Sequence, residues 1–189
     1  MTFRKRTLAL GKPHRIRKLV IRRRPSPLDP HLARAQIGQV VIPAAIGRTG
    51  ASHLKREGDG ATPIGVFHLN KAYFRADRIQ RVPTLISTEP LRPRLGWSDD
   101  PVSHRYNRSV QAGARESHEK LWRQDSVYDV VITTSHNQRP RVLGAGSAIF
   151  LHLARPGYEA TQGCVAVSHA DLRRLLPRLS HRAQLVIVG

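Results

Sequence analysis

Cysteine is nearly absent: the chain of 189 residues has one, Cys164. No intramolecular disulfide can form, and the thiol is free for other work. Long apolar runs are missing as well. Nothing approaches the roughly 18 consecutive apolar residues of a membrane-spanning helix. The basic start is not followed by the apolar core of about 7–15 residues that a secretory signal needs; the longest early run is Leu19-Val20-Ile21. A soluble chain without a visible export signal is expected. Metal-ligand spacing is absent too. His53, His68, His104, His118, His136, His169 and His181 are scattered, with no i,i+4 pair beside an acid, and Cys164 has no Cys-x-x-Cys partner. Neither a metal nor another cofactor is expected. Gly58 and Gly60 alternate with Glu57 and Asp59, and no Lys-Ser/Thr follows, which excludes a phosphate-cradling loop and leaves a tight turn.

Acids are scarce, 13 Asp and Glu against 32 Lys and Arg, for a formal charge of +19. Such a charge draws a protein to polyanions, whether nucleic acid, anionic lipid or carboxylate-rich wall polymer, without choosing among them. Ten of the cations and no acid fall in the first 24 residues, the density of a tail that sits on an anionic surface, or of a solvated face. The reading is a basic tail over residues 1–14 and one domain over 15–189, long enough to bury a core without staples.

Short apolar runs rich in β-branched residues, bounded by Gly, Pro, Asn and Ser, predict a mainly β sandwich or barrel with one or two short helices. Strands are expected at 15–22, 35–46, 65–72, 84–88, 129–133, 147–154, 163–167 and 183–188. A helix is expected after Ser168, which with Asp171 makes a capping-box-like start before Leu172, Leu175 and Leu176; Pro177 ends it. A second is expected near Ser117–Arg123. Residues 89–115 read as a long loop, with Trp97, Tyr106 and Asn107 arguing for order within it.

The chemistry concentrates in 147–168. An apolar strand delivers His152, a loop with Arg155 and Tyr158 follows, and Gly163-Cys164 opens the next strand, so that a hairpin-like return sets the thiol beside the imidazole. A neighbouring imidazolium lowers a thiol pKa and raises the thiolate fraction, which is the nucleophile. Gly163 permits the positive φ and close substrate approach that a nucleophile on a tight turn needs, and backbone N–H groups at and beside Cys164 offer an oxyanion hole. The competing reading is a small buried cysteine beside a satisfied core histidine.

His152, a spacer, and Thr161-Gln162-Gly163-Cys164-Val165 resemble the signature of the L,D-transpeptidase (YkuD-like) catalytic domain, His, spacer, Ser/Thr-x-Gly-Cys. Gly47-Arg48-Thr49-Gly50 followed by Thr62-Pro63-Ile64-Gly65-Val66-Phe67 is similar to that family's second hallmark. The resemblance covers about Arg15 to Gly189. It implies a mainly β catalytic domain over 15–189, no metal, and catalytic Cys164, His152 and Gly163, with the Leu153 carbonyl completing the dyad. It implies peptidoglycan stem peptides as substrates, cross-linked by a cysteine acyl-enzyme in ping-pong fashion, and acylation by carbapenems. The expected setting is the cell envelope or periplasm, and the expected state a monomer without a dedicated nucleic-acid partner. Arg155, Tyr158, Thr161, Gln162 and Asp129 are the substrate-binding candidates; Arg155 suits a stem-peptide carboxylate through its planar fork. The His-to-Cys spacing of twelve is short, Gln162 replaces a frequent His, and Ala166 stands where many members have Arg or Asn. These departures suggest a proteobacterial short-loop branch and leave the acceptor open. The same residues would serve an L,D-carboxypeptidase or a D-amino-acid exchange. A basic nucleic-acid-binding protein is the rival from another class, disfavoured because Phe3 is the sole aromatic among the first 60 residues. A non-catalytic wall-binding module is disfavoured by the intact Cys-His pair.

Overall fold

In Ile-Arg-Lys-Leu-Val-Ile-Arg-Arg, apolar and charged residues trade places at close to the strand period of two. The chain turns this into β1 (Ile16–Arg23), burying Ile16, Leu19 and Ile21 and leaving Arg17, Lys18 and Arg22 in solvent. The computed structural model describes residues 15–111, 113 and 115–189; the basic tail expected over 1–14 lies outside the described residues. After β1 come β2 (Leu32–Ile37), β3 (Val40–Ala45), β4 (Ala51–Ser52), β5 (Thr62–Pro63), β6 (Gly65–Phe74) and β7 (Ser87–Pro90). Next are β8 (Leu95–Ser98), β9 (Ser109–Gln111), β10 (His118–Lys120), β11 (Val130–Thr134), β12 (Phe150–Leu153) and β13 (Val165–Val167). The helix α1 (His169–Leu175), single 3-10 turns at Pro156–Tyr158 and Leu176–Arg178, and the long β14 (Leu179–Val188) complete the described elements.

The sheet runs β11, β12, β13, β3, β2, β1, β14, β6, and β6 pairs back to β11, so these strands close into a barrel; β7 extends β6 beside β14. Inward side chains of β1, β2, β12, β13 and β14 fill it, among them Leu19, Ile21, Leu151, Val165 and Leu185. Ser168 caps α1, its Oγ accepting from the Asp171 N–H at 3.1 Å, and Leu172, Leu175 and Leu176 join the barrel core. The mainly β architecture and the capped helix are as expected from the sequence.

Three segments differ from expectation. The run 35–46 is a hairpin rather than one strand: Ile37 pairs with Val40 across a two-residue turn in which Gly38 has φ +59°. Ser117–Arg123 is not helical; His118–Lys120 pairs with β8, and the backbone bonds of that ladder outweigh the helix propensity of Glu, Lys and Leu. The stretch 89–115, expected as a long ordered loop, carries strands instead. Its residues 95–98 and 109–111 build with 118–120 a three-stranded sheet, β10-β8-β9, which lays Trp97 and Leu121 on outward residues of the barrel, Val131 and Phe150. This second core, between sheet and barrel wall, contains Cys164.

Candidate active site

The period of two in β12 sends Leu151 and Leu153 into the barrel and leaves Phe150 and His152 facing out. The neighbouring β13 does the same, with Val165 and Val167 inward. The two strands are parallel, His152 opposite Ala166, so Cys164 lies level with Phe150 and on the same outer face as His152. The return between them is therefore a crossover rather than a hairpin. What redirects it is Thr161, whose N–H donates to the Ile46 carbonyl at 3.0 Å and whose carbonyl accepts from the Arg48 N–H at 2.9 Å.

The turn that carries the thiol is pinned from both sides. Thr161 Oγ1 donates to the Cys164 carbonyl at 2.6 Å and accepts from the Gly163 N–H at 3.1 Å. Thr62 Oγ1 accepts from the Gly47 N–H at 2.8 Å and donates to the Gly163 carbonyl at 2.9 Å. Gly163 has φ +135°, and a Cβ there would meet the Ala61 carbonyl oxygen at 2.8 Å; one on Gly47 would meet the Gly60 oxygen at 2.2 Å. Both hallmark segments thus build a single object, a rigid bracket around Gly163-Cys164.

His152 is buried, and its Nδ1 lies 2.9 Å from the Leu153 carbonyl, an acceptor only, so Nδ1 carries the proton and Nε2 the lone pair. The Tyr128 ring stands edge-on to the imidazole, centroids 5.2 Å apart at 89°, and fixes its plane. The Cys164 sulfur accepts from the Phe150 N–H at 3.3 Å and donates to the Ala148 carbonyl at 3.0 Å. Burial pushes the thiol up to about 12, against the Phe150 N–H, and pulls the imidazole down to about 4, against the Leu153 carbonyl. At neutral pH the resting pair is therefore thiol and neutral imidazole. Enclosure thus favours the neutral pair over the imidazolium expected from the sequence.

Both side chains line one cleft of about 480 Å³, between the barrel wall and the three-stranded sheet, bordered also by Glu57, Asp99, Glu119 and Arg123. The model of the YkuD L,D-transpeptidase catalytic domain matches residues 30–188. The chain belongs to that family. A comparison with curated proteins finds no significant match. Among solved structures, "Structure of Bdellovibrio bacteriovorus Bd1075" is similar at 15% identity with a TM-score of 0.42, over 93% of this chain and 48% of that one. The chain thus spans about half the length of that protein.

Within this L,D-transpeptidase-family domain, Cys164, His152, Thr161, Gln162 and Arg155 come together at the cleft. Arg155 is already paired, with Asp125 at 3.2 Å and Glu159 at 3.6 Å. Gln162 accepts from Arg48. Tyr158 is outside the cleft lining, on the loop between β12 and β13 with φ +58°, its hydroxyl close to Ser168. Asp129 is also elsewhere, buried and bridged to Arg78 at 3.0 Å. Sequence reasoning passed over Glu119, Arg123 and Asp99, which reach the cleft on the three-stranded sheet and the segment after it. Burial raises the Glu119 carboxyl above its usual range, against the Tyr128 hydroxyl and Arg123. Trp97, Tyr106 and Asn107, the aromatic and amide signals in that stretch, were the clue that it was ordered.

Proposed function

We propose that this chain cross-links peptidoglycan stem peptides as a cysteine-dependent L,D-transpeptidase in the cell envelope, with residues 15–189 as its catalytic domain. The observation that carries the reading is the placement of Cys164, at the start of β13, and His152, on β12, along one cleft, with His152 Nδ1 held by the Leu153 carbonyl. Nε2 takes the thiol proton, and the sulfur attacks the carbonyl that joins an L-centre to a D-residue. The C–N bond breaks, the imidazolium protonates the departing D-amino acid, and a thioester remains on Cys164. An acceptor amine then attacks the thioester, yields a proton to His152, and that proton returns to the sulfur as the cross-linked product leaves. The Gly163 N–H is committed to Thr161 Oγ1, so the Cys164 N–H is the donor assigned to the developing oxyanion. Gln162 and Arg155, on the cleft border, are assigned to the donor peptide; Thr161 acts through the turn.

Mass spectrometry of purified muropeptides incubated with the protein tests this. Dimers lacking one terminal D-amino acid are expected. Trimmed monomers instead would mean that water is the acceptor and the enzyme an L,D-carboxypeptidase, and incorporation of a free D-amino acid would mean exchange. Unchanged substrate masses overturn the proposal.

A further inference from the structure

β1 lies four strands from β12 whichever way the barrel is followed, so the outer face of β1 and its neighbours is on the wall opposite the cleft. On that face Arg22 is the direct cross-strand partner of Arg34 in antiparallel register, both exposed. Like charges directly opposite one another in a sheet are destabilising. Lys18 sits four residues back along β1, Arg17 and Arg182 lie within the irregular register between β1 and β14, and Arg15 follows, its Nη1 donating to the Pro177 carbonyl at 3.2 Å. None of these six takes part in an ion pair among the described residues. The pairs that do form among the described residues all lie within residues 55–159.

We infer that this wall is a docking surface for an anionic polymer, and that the polymer is the carboxylate-bearing peptidoglycan meshwork; the identity of the polymer rests on the proposed function. Charge complementarity selects the class. Planar guanidinium forks in a row suit carboxylates, a polyanion repays the repulsion between Arg22 and Arg34, and β1, β2 and β14 hold no Phe, Trp or Tyr on which nucleic-acid bases would stack. A second contact on the far wall holds the enzyme within the mesh and raises the effective concentration of stem peptides without touching the chemistry.

The test compares a triple variant, Lys18→Gln, Arg22→Gln and Arg34→Gln, with a charge-matched control, Arg92→Gln, Arg94→Gln and Arg108→Gln, all exposed positions away from that wall. Retention on purified sacculi at low salt should fall about tenfold or more in the first and little in the second, and the difference should vanish at high salt. Turnover of small soluble muropeptides should be unchanged in both. The melting temperature of Arg34→Gln alone should stay level or rise, because a like-charge contact is removed. Equal weakening by both triples would reduce the effect to net charge and overturn the proposal. So would unaltered sacculus retention accompanied by lost binding to anionic phospholipid vesicles or duplex DNA. Absent turnover of soluble muropeptides by the unmodified protein, with retention still dependent on the face, would sink the enzymatic reading and leave the surface standing.

Discussion

In the resting protein the Cys164 proton is directed at the Ala148 carbonyl, 3.0 Å from the sulfur, and not at His152. Ala148 holds φ +50°, an unusual conformation for a residue with a side chain, and its N–H donates to Asn107 Oδ1 at 3.2 Å. In the proposed mechanism, activation begins with rotation of the S–H bond from that carbonyl toward Nε2. With the thiol held up at about 12 by burial, alkylation of Cys164 by iodoacetamide should keep accelerating above pH 9, where an ordinary exposed cysteine levels off; a plateau near pH 8.5 would contradict the enclosed neutral thiol. Replacing His152 by Gln should lower turnover by at least ~100-fold, the lower range for a general acid–base group. It should leave the pH profile of alkylation nearly unmoved, because the resting imidazole is neutral. A profile displaced to higher pH in that variant would show a resting ion pair after all. Tyr128→Phe should keep the edge-on clamp on His152 and most of the activity, whereas Tyr128→Leu should lose activity with a changed pH–rate profile, measured on soluble muropeptide.

At the scale of elements, the site depends on a bracket made by segments far apart in the chain. Thr62 bridges Gly47 and Gly163, so Thr62→Val leaves a buried N–H and a buried carbonyl unpaired. Denaturant titration should show a loss of about 1–3 kcal/mol, and turnover should fall further than the residual folded fraction explains. Retained stability and turnover would mean the bracket relaxes without it. Much of this was legible in sequence. The alternation in Ile16–Arg23, the Ser168 cap, Gly163 before Cys164 and the Thr-Pro-Ile-Gly run each state a local rule that the fold obeys. What local rules do not carry is pairing between distant strands. Residues 118–120 have helix-forming side chains yet form a strand because β8 offers unpaired backbone groups. The parallel pairing of β12 with β13 follows from Thr161 bonding to Ile46 and Arg48, residues more than a hundred positions earlier. Glu119 and Arg123 were invisible as site residues for the same reason: only the sheet β10-β8-β9 brings them to the cleft.

For the whole molecule, the enclosed imidazole links catalysis to stability. His152 titrates at about 4 in the folded chain, below its ordinary 6.5. Burial favours the neutral form, so its contribution is complete above pH 6.5 and is lost as pH falls toward 4, while the unfolded chain takes up the proton. The loss across that window is about 3 kcal/mol. Melting temperatures of the parent and of His152→Gln should converge on acidification, and parallel curves would argue against a buried neutral histidine. The claim on which everything else rests is that Cys164 accepts an acyl group in an oxyanion-stabilising cleft. Intact-mass analysis after incubation with a carbapenem tests it without needing the natural acceptor. The account predicts one adduct of the inhibitor's mass, localised to the peptide containing Cys164 and absent from Cys164→Ala, a variant whose melting temperature should stay within a few degrees of the parent's. An unmodified mass at a pH where iodoacetamide labels Cys164 freely, or an adduct that persists in Cys164→Ala, would contradict it.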